Sequence, residues 1–352
     1  MLTRRAYSEI KRAVARHANL VGAKTARIAE GANGNAYKVM FADGSTGVLK
    51  VQKGAGKDNL MYEFLVGEKL NVLRFRFPQF IETKDIYYYH DSKLSELREL
   101  EVLEPHSLDR GCRTAGRQAL LIKHVNGATL KSFMSDPEFL KNELVGVLFQ
   151  IYYTLYKLQH VFTHYDLHKS NVLLDTPTNG KPILFRYTEF TPPVEFTCRF
   201  VPKIIDYGRA YMEGVDFSKL WGLACNTAAC APQGRKCGFN YYNSEYQNYT
   251  RPNVSQDLRL LVGLPDPFAW LSGMVVYGNN VPEKKVRYTT QEIVTPQYPV
   301  SIVNVDDAFH ALYDLVLEQN LREHTAVITI SGSDPYTAND LQRPRTRKNR
   351  HG

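Results

Sequence analysis

Cysteine is sparse in this sequence: five in 352 residues, an odd number with no Cys-x-x-Cys pair. That scarcity argues against a disulfide framework and fits a reducing compartment. Long apolar runs are missing too. The longest, Leu144 to Leu158, is interrupted by Gln150, Thr154 and Lys157 and falls short of a membrane span. The N-terminal stretch MLTRRAYSEIKRAVARHANL lacks the uninterrupted apolar region of a secretory signal, so the expectation is an intracellular protein of cytoplasm or nucleus. No internal repeat is present. Basic charge is also missing from the middle of the chain, despite a net charge of +8. Residues 1–27 carry +6 and residues 341–352 carry +5, which leaves −3 for residues 28–340. Contact with nucleic acid could rest on the two termini alone.

What is present is ordinary globular composition, 43% hydrophobic and 12% aromatic, in a chain long enough for two or three packing units. Residues 2–21 read as an amphipathic helix with a solvated basic face. From Ala26 to Val51 short β-like runs alternate with Gly-rich turns, and Asp43-Gly44 signals a hairpin. A helix is expected near Leu60–Asn71, strands at Phe80–Tyr89 and Leu120–Val125, and a short helix within the charged stretch 90–117, at Leu94–Leu103. Asp136-Pro137 opens one long buried helix. Strand texture returns over 172–205, where Asn179-Gly180 reads as a hairpin turn, and helices are expected near Ser255–Val262 and Asp306–Gln319. The layout is α+β.

The stretch richest in chemistry is His164-Tyr-Asp166-Leu-His168-Lys169-Ser-Asn171, between a buried helix and an apolar strand. Farther on, Ile204-Ile205-Asp206-Tyr207-Gly208 ends a strand with a carboxylate. Phosphoryl transfer needs such a set: one Asp to orient a hydroxyl and take its proton, an Asn and a second Asp to hold Mg²⁺ against phosphate oxygens. These segments resemble the catalytic loop H-R-D-L-x-x-x-N and the D-F-G of the eukaryotic-type protein kinase superfamily. Ile28-Ala29-Glu-Gly31-Ala-Asn-Gly34 is similar to its Gly-rich loop, with Ala29 in place of the first glycine. Val48-Leu-Lys50-Val51 is similar to V-A-I-K.

The resemblance covers roughly residues 25–345 and implies a two-lobed kinase-like fold: a small β-rich N-lobe (25–125) and a larger α-rich C-lobe (126–344). A basic extension (1–24) and a basic disordered tail (345–352) flank them. It implies ATP and Mg²⁺ as cofactors and Asp166 as the base, with His168 or Lys169 at the transferred phosphate. Lys50 and Glu63 would hold ATP, with Glu68 as the rival of Glu63. Asn171 and Asp206 would hold the metal, the Gly-rich loop would cover the phosphates, and the backbones of Lys123 and Val125 would face the adenine beyond a gatekeeper, Ile122. Asp257 would bond the catalytic-loop backbone, and Thr337–Pro344 would form the closing helix. The implied activity is a serine/threonine-protein kinase with a protein substrate; a small-molecule phosphotransferase and a pseudokinase scaffold are the alternatives. The Asp-Leu-His loop is similar to haspin-like kinases and to kinases of large DNA viruses, the latter adding the virion as a location.

Departures from the family pattern are specific. Tyr165 replaces the arginine before the catalytic aspartate, so activation-loop phosphorylation is not the expected switch. A-P-E has only a poor echo in Ala231-Pro232-Gln233, and Pro335 sits where its arginine partner usually comes. The stretch from Asn171 to Asp206 is long and reads as an extended hairpin. Cys225, Cys230 and Cys237, with Cys198, match no standard zinc spacing and are expected to be free thiols.

Overall fold

The computed structural model describes residues 24–30, 34–41, 43–52, 60–89, 101–102, 117–215, 252–275 and 301–332. The first part is built on β1 (Lys24–Glu30), β2 (Gly34–Met40), β3 (Thr46–Gln52), β4 (Thr83–Tyr89), β5 (Glu101–Val102) and β6 (Arg117–Lys123). These form one sheet in the order β1-β2-β3-β6-β4-β5, antiparallel at every pairing. The β2–β3 hairpin turns at Asp43-Gly44, where Gly44 takes φ +80° and Asp43 Oδ1 accepts the Ser45 N–H. Strand periodicity sorts the side chains of β6: Leu120 and Ile122 join the main core, while Ala119 and Leu121 face a small second cluster with Phe41, Leu49 and Tyr87.

Helix α1 (Leu60–Leu73) packs on β4 and β6. Its approach depends on Gly67, where a Cβ would come within 2.0 Å of Thr83 Oγ1. Four residues on, Asn71 bonds both backbone groups of Thr83, donating from Nδ2 to the carbonyl (2.6 Å) and accepting the N–H at Oδ1 (3.1 Å). Helix and strand are thus fixed in register just beside Glu63.

The remaining described residues form a mixture of helices and small sheets around α2 (Pro137–Asn142), α3 (Leu144–Leu158) and α4 (Val305–Leu317). The polar residues that interrupt the apolar run of α3 are the ones that tie it down. Gln150 donates to the Phe200 carbonyl (3.1 Å), Thr154 to Gln79 Oε1 (2.9 Å), and Lys157 pairs with Glu189 (2.8 Å). Helix α4 crosses α3 with Phe309 stacked on Tyr156, centroids 4.6 Å apart. Strand pairs β7 (Phe162–Thr163) with β12 (Tyr211–Met212), and β8 (Val172–Asp175) with β11 (Val201–Ile204), frame the loops that follow α3. A third sheet has the order β10-β9-β13, from β9 (Ile183–Tyr187), β10 (Val194–Cys198) and β13 (Ala326–Ile330), the last parallel to β9.

Four expectations need correction. The single helix from Asp136 is two helices, because Glu143 leaves helical geometry at φ −126°. Its fully buried carboxylate is instead held by Arg199 Nε (2.7 Å), the Arg199 N–H (2.8 Å) and Arg322 Nη1 (2.6 Å). Asn179-Gly180 does form a tight turn, both residues at positive φ, but β8 and β9 pair with β11 and β10 and not with each other. The extended hairpin is β9–β10. Residues 101–102, placed in a short helix by sequence pattern, form the edge strand β5, and the helix near 255 is a 3-10 turn over Gln256–Leu261.

The helix at 2–21, Gly31, Cys225, Cys230, Cys237, the Ala231–Gln233 echo, Pro335, the segment 337–344 and the tail lie outside the described residues. Cys198 is fully buried on β10, its thiol pushed up by burial. Among the described residues no helix is long and apolar enough to cross a membrane.

Candidate active site

Lys50 sits mid-β3, opposite Ala36 of β2 and Leu120 of β6, and Ala36 in turn pairs with Ala29 of β1. The register therefore sets Ala29 and Lys50 in one row across the sheet, with Gly34 opening β2. Lys50 Nζ donates to both oxygens of Glu63 (2.8 and 2.6 Å) and to Asp206 Oδ1 (3.0 Å). Glu63 lies in the first turn of α1 with its side chain 4% exposed, whereas Glu68 is exposed on the same helix. Between the two rivals, geometry chooses Glu63.

Asp206 follows β11 in the left-handed region, φ 71° and ψ 66°. This conformation turns its carboxylate toward Lys50, whose charge holds it below the usual carboxylate range. Tyr165, at φ 62°, is the second non-glycine residue of the site in that region. Such strain persists only where the surroundings over-determine it, and here they do. Asp257, in the 3-10 turn, accepts the His164 N–H at Oδ2 (2.8 Å) and the Tyr165 N–H at Oδ1 (2.9 Å). Burial pushes Asp257 up to about 7 against the pull of those two donors. Tyr152 Oη from α3 donates to the Asp257 carbonyl (2.9 Å), fixing the turn in place.

Inside the loop, the Asp166 N–H donates to His164 Nδ1 (3.3 Å), so the proton of His164 lies on Nε2 and is donated to the Ile205 carbonyl (2.8 Å). Burial depresses His164 to about 4 and keeps it neutral. Asn171 donates from Nδ2 to the Asp166 carbonyl (2.9 Å), and its own carbonyl accepts the Ile205 N–H (3.0 Å). One hydrogen-bonded frame thus joins the loop of Asp166 to the strand end of Asp206.

His168 and Lys169 part company. His168 Nδ1 accepts the Ser170 N–H (3.2 Å), leaving Nε2 3.7 Å from Asp166 Oδ1, and burial depresses its pKa. Lys169 Nζ donates to the carbonyls of Val262 (2.7 Å) and Gly263 (2.9 Å). It straps the loop to the end of the 3-10 turn. Two residues that sequence pattern did not single out stand beside Asp166. Arg259 Nη1 lies 3.0 Å from Asp166 Oδ1, and Arg209 Nη1 lies 3.8 Å from Oδ2. Asp166 is pushed up to about 6, chiefly by burial, against the opposing charge of Arg209. The available signal was local: Arg209 directly follows Asp206-Tyr-Gly, and Arg259 lies two residues after Asp257.

Lys123 and Val125 lie on the passage out of β6. The Lys123 N–H donates to the Glu82 carbonyl (2.8 Å), and Val125 is buried. Just beyond, Gly127 passes so close to β8 that a Cβ would meet the Leu174 carbonyl at 1.8 Å. Among the described residues no three His, Cys, Asp or Glu side chains converge to hold a metal by themselves. The Asp206 carboxylate and the Asn171 amide oxygen are instead a sparse hard-oxygen set, suited to a small cation that takes its remaining ligands from phosphate and water. No family model and no curated protein matches the chain.

Proposed function

We propose that the chain is an ATP- and Mg²⁺-dependent phosphotransferase of the eukaryotic-type protein kinase superfamily, with the serine or threonine hydroxyl of a protein as acceptor. The observation that carries this reading is Lys50 Nζ bridging Glu63 and Asp206, residues 13 and 156 positions away. Kinase-type phosphoryl transfer requires a strand lysine paired with a helix carboxylate and, close by, an aspartate for the metal. The antiparallel sheet with α1 on one face, followed by the helical remainder, supports a two-lobed kinase-like architecture.

In this reading Asp206 and Asn171 would hold Mg²⁺, which supplies charge neutralisation at the phosphates. Lys50 orients the nucleotide's inner phosphates, with Glu63 keeping its ammonium in place. Asp166 receives the acceptor's hydroxyl proton at its carboxylate. His164 and Asp257 touch no reactant; they set the loop backbone that aims Asp166.

The test is incubation of the full chain with labelled ATP and Mg²⁺, separately with protein and with metabolite mixtures. Label on serine or threonine of protein supports the proposal, and label on metabolites alone would move the acceptor to the small-molecule class. Thermal stabilisation by nucleotide with no transfer at all would favour a pseudokinase scaffold.

A further inference from the structure

The negative charge that spreads over a transferring phosphoryl group is stabilised by protein cations as well as by metal ions. Lys50 donates to both oxygens of Glu63 and to Asp206. Lys169 is strapped to two carbonyls on the far side of the loop, and His168 is neutral with one nitrogen spent on Ser170. Arg259 and Arg209 flank the carboxylate of Asp166, which is 17% exposed, each with its side chain about one-third exposed (29% and 34%).

Two guanidinium groups on one carboxylate exceed what is needed to hold it. We propose that Arg259 is a catalytic residue whose guanidinium passes from Asp166 to the phosphoryl group being transferred, with Arg209 as the second cation of the same subsite. This rests on the phosphotransferase reading above. The bond from the terminal phosphorus to the donor's bridging oxygen breaks, and its electron pair stays on the departing diphosphate. The acceptor oxygen forms the new bond to phosphorus, and its proton goes to Asp166.

The delivery is rigid. Arg259 stands between fully buried Leu258 and Leu260 in the turn whose Asp257 grips the loop backbone and whose end is strapped by Lys169. Loop and turn are thus joined by Asp257 and Lys169, and the guanidinium moves from Asp166 by its own side-chain torsions.

The test compares Arg259→Ala and Arg259→Lys with wild type in the full chain. It measures transfer rates from Mg-ATP to the wild type's best acceptor and, separately, the dissociation constant of ATP. Arg259→Ala is expected to lower kcat by on the order of 100-fold, with ATP affinity held within about threefold. Added guanidinium ion is expected to restore part of the rate to the alanine variant and none to the lysine variant. Should Arg259→Ala fail to fold, Arg209→Ala takes its place, with an expected loss in kcat of roughly tenfold. A kcat within about threefold of wild type in the folded variant overturns the proposal while leaving the kinase reading intact. A raised KM for the acceptor with unchanged hydrolysis of ATP by water overturns it too, and assigns the arginines to an anionic acceptor. Absence of transfer by the wild type removes the phosphotransferase reading, and the proposal with it, before any variant is made.

Discussion

Lys50 and Glu63 are 13 residues apart in sequence and 2.6 Å apart at their charged atoms, one on a central strand and the other on the helix packed over it. The carboxylate is almost fully buried, so the pair fixes the position of α1 over the sheet as well as the lysine itself.

Removing the lysine leaves a carboxylate that is only 4% exposed without the cation that bonds both its oxygens. Lys50→Met is therefore expected to cost about 3 kcal/mol of stability, and the double variant Lys50→Met/Glu63→Leu to recover most of it. Urea denaturation of the three proteins checks this. Equal stability of Lys50→Met and wild type would mean that Glu63 is solvated in solution.

Lys169 is expected to matter for stability and little for chemistry, since it binds the Val262 and Gly263 carbonyls and not Asp166. Lys169→Met should lower stability by about 1 kcal/mol and kcat by less than about tenfold. A loss of roughly 100-fold or more in kcat with unchanged stability would return Lys169 to the phosphate.

His164 carries a pH signature. Its folded pKa is depressed from 6.5 to about 4, so between those values the unfolded chain binds the proton and the folded one does not. Stability contributed by the neutral ring is complete above about pH 6.5 and falls as the pH drops toward 4, by on the order of 3 kcal/mol. Protonating Nδ1 also breaks its bond from the Asp166 N–H. Asp166 and Asp257, both raised by burial, slope the opposite way, so the measurement is a difference. The stability gap between wild type and His164→Gln should narrow steadily from pH 7 to pH 4.5. A constant gap would show that the folded ring keeps the pKa of the unfolded chain.

Much of this site was legible in the sequence because its information is local. Asp-Gly at 43–44 sets a turn by itself, and Asp166, Asn171 and Asp206 stand in short motifs whose backbones the structure joins through Asn171. What stayed hidden depends on partners far along the chain. The break at Glu143 is imposed by Arg199 and Arg322, 56 and 179 residues on. The direction of Lys169 is set by carbonyls about 93 residues away. Arg259 reaches Asp166 over the same distance in sequence. The Asn179-Gly180 turn has the right local chemistry, but pairing is decided by β10 and β11, which arrive later.

The account stands most directly on Asp166. The decisive measurement is phosphate transfer from labelled ATP by Asp166→Asn beside wild type, with ATP affinity determined for both. Wild type should transfer label, and the variant should bind ATP with unchanged affinity while its transfer falls by roughly 1,000-fold. Undiminished turnover in the variant would contradict the account.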